Sequence, residues 1–184
     1  VSEVPRWAQE ARDAWAWRGQ ARPAFAQEAG PGQVSVWDFP RPPRLVRDPR
    51  EVVVRWGARE VVRTRGAVLV LETAHPPTWY LPWADVDRRW LQAAPGSSYC
   101  EWKGPARYWS LADGPEQLNG AAWSYPAPLP GAEVLAECVA FYASPLLCTV
   151  NGAQVRPQPG GFYGGWITPE LVGPFKGDVG SSGW

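Results

Sequence analysis

The sequence is poor in several residue types, and each shortage excludes something. It has no methionine, one histidine (His75), one isoleucine (Ile167), two lysines (Lys103 and Lys176) and two asparagines among 184 residues. Charge of either sign is not in surplus: 18 basic and 18 acidic side chains cancel. A balanced surface does not neutralise phosphates, so no nucleic-acid partner and no polybasic membrane attachment is expected. The three cysteines, Cys100, Cys138 and Cys148, are odd in number and include no C-x-x-C pair, which excludes a disulfide framework and a zinc knuckle. No apolar run is long enough to span a bilayer. The uncharged stretch 138–155 is broken by Pro145, Asn151, Gly152 and Gln154. Residues 1–18 carry Glu3, Arg6, Glu10, Arg12, Asp13 and Arg18 without an apolar core of signal-peptide length, so a cytoplasmic, reducing location is the expectation.

Aromatic residues and chain-turning residues fill the space those shortages leave. Thirteen Trp, six Tyr and five Phe, with 19 Gly and 21 Pro, describe a folded, loop-rich, aromatic-packed domain. Nearly all basic residues are Arg, the skew of a GC-rich, bacterial genome in which lysine drifts to arginine wherever charge alone matters. A retained lysine is therefore informative, because its compact amine can lose a proton when buried and a guanidinium cannot. Both lysines sit in aromatic-Lys-Gly settings.

Along the chain, residues 5–18 repeat apolar side chains at helical spacing. The proline-studded segment 37–43 must be extended, since each residue before a proline leaves the helical region. Residues 51–56 and 59–64 flank Gly57-Ala58 as a hairpin, and 67–72 supplies a buried third strand. A brief helix is expected at 83–91, strands at 99–102 and 106–111 hinged at Lys103-Gly104-Pro105, another at 121–125, and a helical turn at 131–138. Asn151-Gly152 marks a hairpin between 146–150 and 153–156. The glycine-rich tail 160–184 carries aromatic anchors and is expected to wrap the domain. The fold class is mainly β, two packed antiparallel sheets in one compact domain, organised as a 1–34 lead, a 35–145 core and a 146–184 hairpin and tail.

Four blocks carry a family resemblance: 35–43 (SVWDFPRPP), 71–82 (LETAHPPTWYLP), 100–110 (CEWKGPARYWS), and 122–126 (AWSYP) with 140–142 (AFY). In this order, over roughly 35–142, they resemble the family known as domain of unknown function 427. The N-terminal lead and the tail segment 162–169 (FYGGWITP) resemble its longer form. Ala74 stands where that family often has Ser, and Glu101 where it often has Pro. The resemblance implies a small β-rich domain that has been labelled nucleotidyltransferase-like. The residues do not support the label: there is no G-x-x-x-x-G-K-[ST] loop, no G-x-G-x-x-G, and no paired-Asp strand end to hold Mg²⁺ and a triphosphate. No cofactor and no metal is expected.

Four residues have the chemistry for catalysis. His75 stands in a loop stiffened by Pro76-Pro77, and an imidazole exchanges protons near neutral pH. Glu72, three residues earlier, can orient it or act as a second proton-transfer group. The competing reading of His75 is a side chain that closes its turn on a backbone carbonyl. Cys100 and Lys103 form a C-x-x-K turn where an ammonium lies near a thiol and favours the thiolate; the aromatic neighbours of Cys100 argue instead for a buried, inert cysteine. Tyr80, Tyr108, Trp123 and Tyr125 are candidates to line an aromatic pocket, Trp123 and Tyr125 on one strand face. Arg41, held between Pro40 and Pro42, is a candidate grip for an anion.

Two functions follow. One is a small-molecule enzyme using Glu72, His75, Lys103 and Cys100 in acid-base chemistry, amine- or thiol-assisted, on an anionic, partly planar substrate. The other is a non-catalytic module that captures such a ligand, or a nucleotide-like ring, through its aromatic residues and Arg41. Either takes a small-molecule ligand as its partner.

Overall fold

The β-branched runs of the first half pair as their alternation dictates. The computed structural model describes residues 4–184; residues 1–3, at the start of the expected 1–34 lead and including Glu3, lie outside the described ones. Val52–Trp56 and Arg59–Thr64 form the hairpin about Gly57, whose φ of +58° supplies the left-handed turn position. Leu147–Val150 adds to Val52–Trp56, and Ala153–Gln154 closes this four-stranded antiparallel sheet through the Asn151-Gly152 turn.

The larger sheet is also antiparallel and has seven strands. Its spatial order is Arg44–Asp48, Ala67–Leu71, Thr78–Pro82, Cys138–Phe141, Glu116–Ser124, Gly104–Asp113 and Leu91–Cys100. Side chains alternate across it, so each face collects a different set. One face packs Leu69, Leu71, Trp79, Leu81, Val139 and Phe141 onto Val52, Val54, Val61 and Val62 of the small sheet, making the main core. The opposite face gathers Val68, Val70, Tyr80, Ala140, Trp123 and Tyr125 into a second cluster. The protein is mainly β, with two packed sheets.

Helical structure is scarce. Arg6–Ala14 is the one α-helix among the described residues. The expected helix at 83–91 is instead two 3₁₀ turns, Trp83–Asp85 and Arg88–Trp90. Val86 bridges to Val62, and Asp87 N–H donates to Val61 C=O at 2.9 Å; donors committed to a neighbouring strand cannot propagate a helix. The turn expected at 131–138 is a 3₁₀ segment, Glu133–Glu137, and Cys138 already belongs to the next strand.

The tail closes over the domain. Trp166–Ile167 pairs with Arg156–Pro157, and Leu171–Val172 pairs in parallel with Val34–Ser35. Trp37, buried beneath the lead, donates its indole N–H to Pro174 C=O at 3.1 Å, and Phe25 stacks on Trp184 at 5.0 Å. The proline-rich strap 37–43, whose first residues belong to the 3₁₀ turn Val36–Asp38 and which extends only from Phe39, meets lead and tail in one aromatic knot. No helix among the described residues is long and apolar enough to cross a membrane.

Candidate active site

The face of the large sheet turned away from the small sheet carries a cavity of about 200 Å³. Its floor rests on a cross-strand row, of which Tyr80, Trp123 and Tyr108 line the cavity. Val68 opposes Tyr80, Tyr80 opposes Ala140, Ala140 opposes Trp123 and Trp123 opposes Tyr108. These side chains project to one side because residues directly opposite in neighbouring strands share a face. Tyr125, two residues beyond Trp123, follows on the same side. Trp123 donates to Tyr80 Oη at 3.4 Å, and Tyr108 Oη lies 2.7 Å from Ser98 Oγ.

Two turns bring the polar groups over this floor. The strand Ala67–Leu71 ends in a turn in which His75 N–H donates to Glu72 C=O at 3.0 Å. Its third residue, Ala74, has φ +70°, the left-handed value that a type II turn demands and a non-glycine residue rarely adopts. That turn presents Glu72 and His75 to the same cavity. Across the cavity, the strands Leu91–Cys100 and Gly104–Asp113 are joined by a reversal that carries Lys103. Gly104, at φ +93°, makes the reversal possible, and Leu129 N–H pins Lys103 C=O at 3.1 Å. Lys103 Nζ comes within 5.7 Å of the Tyr125 ring centroid.

Glu72, His75, Cys100, Lys103, Tyr80, Tyr108, Trp123 and Tyr125 all line this one hollow. Arg41 does not. Its guanidinium is wholly buried behind Glu72, donating to Glu72 Oε1 (3.2 Å), Trp17 C=O (3.1 Å) and Thr73 C=O (3.0 Å). The indole of Trp15 covers its face at 4.0 Å. The anion Arg41 grips is therefore one of the protein's own.

Electrostatics assign each group a form. Burial raises the proton affinity of Glu72, but the charges of His75, Lys103 and Arg41 outweigh it and hold the carboxyl below its ordinary range. Burial pushes His75 down to about 4; Glu72 opposes this, while Arg41, Lys103 and Lys176 reinforce it. Burial alone would depress Lys103 too, yet the acidic groups around it, Cys100, Tyr80, Tyr125 and Glu72, raise it well above the usual lysine value. Tyr80 is pushed up to about 12 by burial. At neutral pH the cavity holds a carboxylate, a neutral imidazole, an ammonium and neutral phenols.

Several of these groups have unused valences. No hydrogen bond or ion pair among the described residues engages Lys103 Nζ or the second oxygen of Glu72. Neither atom is sealed from solvent, since the buried unpartnered polar atoms are the indole nitrogens of Trp79, Trp90 and Trp102. Among the described residues no group of three or more His, Cys, Asp or Glu is gathered to hold a metal ion.

The roof was not legible in the sequence. Gln158, Phe162, Tyr163 and Gly164 of the tail, and Trp15 of the lead, also line the cavity. His75 meets Tyr163 edge-on at 4.7 Å between ring centroids. Gly164 lies flat on Trp123: a Cβ there would come within 2.0 Å of the indole, so no other residue fits. The glycine pairs around Phe162-Tyr163 were the available signal, and Gly160, Gly164 and Gly165 among them mark close approach.

The family model described as domain of unknown function (DUF427) matches residues 44–153, more than half of the chain. A search of curated proteins matched none of them. The chain belongs to the DUF427 family.

Proposed function

We propose that this member of the family is a small-molecule enzyme that moves a proton by acid-base chemistry on an anionic, partly planar substrate. The observation carrying the reading is the convergence of Glu72 and His75, from one turn, and Lys103, from another, on one aromatic-walled cavity with unused valences on carboxylate and ammonium. Lys103 binds the anionic group as an ammonium, a role that its raised proton affinity favours over attack as a free amine. Tyr80, Trp123 and Tyr125 supply flat apolar walls.

The free oxygen of Glu72 takes a proton from a carbon next to a carbonyl, and the C–H electron pair flows onto the carbonyl oxygen. A neutral His75 donates a hydrogen bond to that developing oxyanion, as a neutral imidazole is able to do. Return of the proton to the same or a neighbouring atom completes an exchange or isomerisation, with no co-reactant. Proton transfer by a positioned side chain contributes roughly 10² to 10⁴ in rate. Cys100 borders the site and is given no step.

The alternative is capture without turnover, supported by the depressed proton affinity of Glu72, which weakens it as a base. One experiment separates the two. Anionic cyclic and aromatic carbonyl compounds are screened by thermal shift, and those that stabilise the protein are incubated with it in D₂O. Enzyme-dependent deuterium incorporation, lost in Glu72→Gln, is expected. Compounds that bind through Lys103 but never exchange a proton would leave the capture reading.

A further inference from the structure

Gln158 lies outside the segment matched by the family model, in the Pro- and Gly-rich tail, yet it touches the site's one imidazole. Its side-chain nitrogen is 3.0 Å from His75 Nδ1 and 2.8 Å from Lys176 C=O, and its oxygen accepts from Gly165 N–H at 3.1 Å. The contacts to Lys176 C=O and Gly165 N–H fix which end of the amide is which. Turned over, the amide would set its oxygen against the Lys176 carbonyl and its NH₂ against the Gly165 N–H, two repulsive contacts in a buried place.

We infer that Gln158 is a positioning residue that fixes the tautomer of His75, leaving the imidazole proton on Nε2, the ring nitrogen that Gln158 does not touch. The amide NH₂ has two hydrogens. One goes to Lys176 C=O, and the other points at Nδ1, which must then accept it as an unprotonated ring nitrogen. In the neutral imidazole the proton is left on Nε2, and no acceptor for Nε2–H exists among the described residues.

The surroundings hold the amide still. A Cβ at Gly165 would fall 2.5 Å from Gln158 Oε1 and 2.5 Å from Pro76 C=O, so the backbone donor comes this close because the residue is glycine. Lys176 N–H donates to Ala74 C=O at 2.8 Å, tying the acceptor of the amide to the turn that carries His75. Imidazole, amide and turn thus form one closed set of hydrogen bonds. The assignment deepens the acid-base reading, since an Nε2–H donor is what stabilises the oxyanion there, but the tautomer itself is measurable without any substrate.

His75 is the sole histidine, so long-range ¹H–¹⁵N correlation of the full ¹⁵N-labelled chain at pH 7 reports it without assignment. The expected spectrum has an unprotonated Nδ1 and a protonated Nε2. Gln158→Glu replaces the donor with an acceptor and is expected to move the proton to Nδ1. Gln158→Leu removes both and is expected to give a mixture of tautomers. A wild-type spectrum with the proton on Nδ1 overturns the assignment, as does a folded Gln158→Glu protein whose ring shifts match wild type. Should Gln158→Leu fail to fold, the other two spectra still decide. Absence of deuterium exchange would remove the catalytic reading while leaving this result intact, and the reverse holds as well.

Discussion

Arg41 Nε donates to Glu72 Oε1 across 3.2 Å, from a guanidinium with 0 % side-chain exposure to a carboxylate with 13 %. Arg41 stands behind the cavity that Glu72 lines, and through the pair the strap before the first sheet strand sets the position of the carboxylate at the end of Ala67–Leu71. Truncating one member of a buried ion pair leaves the other charge uncompensated, which costs about 3–5 kcal/mol. Arg41→Met is expected to lose that much in urea unfolding. Arg41→Lys is expected to recover only part, because a lysine cannot hold Glu72, Trp17 C=O and Thr73 C=O in one plane. A loss below about 1 kcal/mol, in the range of an exposed pair, would show that the pair does not organise the site.

Lys103 is predicted to matter less to the fold. Its ammonium has no hydrogen-bonded protein acceptor and is held only by longer-range attraction to groups such as Glu72, so Lys103→Met is expected to cost clearly less stability than Arg41→Met. Ligand affinity is expected to fall by roughly 10- to 100-fold, the worth of one charged hydrogen bond. Melting temperature and titration of any screening hit, measured on the same protein, test both halves. A variant that unfolds would assign Lys103 to the scaffold.

The depressed His75 proton affinity fixes the sign of a pH effect. The unfolded chain protonates this imidazole near its ordinary value of about 6.5, whereas the folded chain resists until about 4. Between these values the unfolded state binds more protons, so stability is full above about pH 6.5 and falls as pH drops towards 4. The loss amounts to up to about 3 kcal/mol, at 1.36 kcal/mol for each unit. Glu72, held below the usual carboxylate range, adds a further loss at lower pH. Unfolding free energies at pH 7, 5.5 and 4.5, compared with those of His75→Asn, measure the histidine contribution; parallel profiles would refute it.

Alkylation is expected to mark the cavity. Cys138 and Cys148 are buried, and burial pushes both thiols up, Cys138 to about 11. Cys100 is part-exposed and lines the hollow beside Lys103. Iodoacetamide on the folded protein is expected to label Cys100 alone, and a bound screening hit is expected to slow it. Labelling of Cys148 at a comparable rate would mean that the main core opens readily.

Local chemistry was readable from the sequence where it rests on alternation or on turn residues. The Gly57 and Asn151-Gly152 hairpins, the buried strand ending at Glu72, and the shared face of Trp123 and Tyr125 all follow from it. Leu91–Cys100 escaped because Gln92, Pro95, Gly96 and Ser97 have little strand propensity; the sheet accommodates them with a register shift between Ala93 and Ser97. Arg41 was legible as a rigidly mounted cation, but its partner depended on which strand end lay beside the strap. Gln158 and Tyr163 carry no periodic signal, and only the fold reveals that the tail returns to His75.

The floor of the cavity lies in one row of pairing across five strands, while its roof is a glycine-bordered loop and the edge of the lead. Sliding any one of those strands by a residue would turn its member of the row into the main core and bring a core side chain out in its place. The floor is therefore as stiff as the sheet: its side chains can be exchanged for others, but their positions cannot shift without refolding the domain, whereas the roof depends on how the two chain ends pack over it.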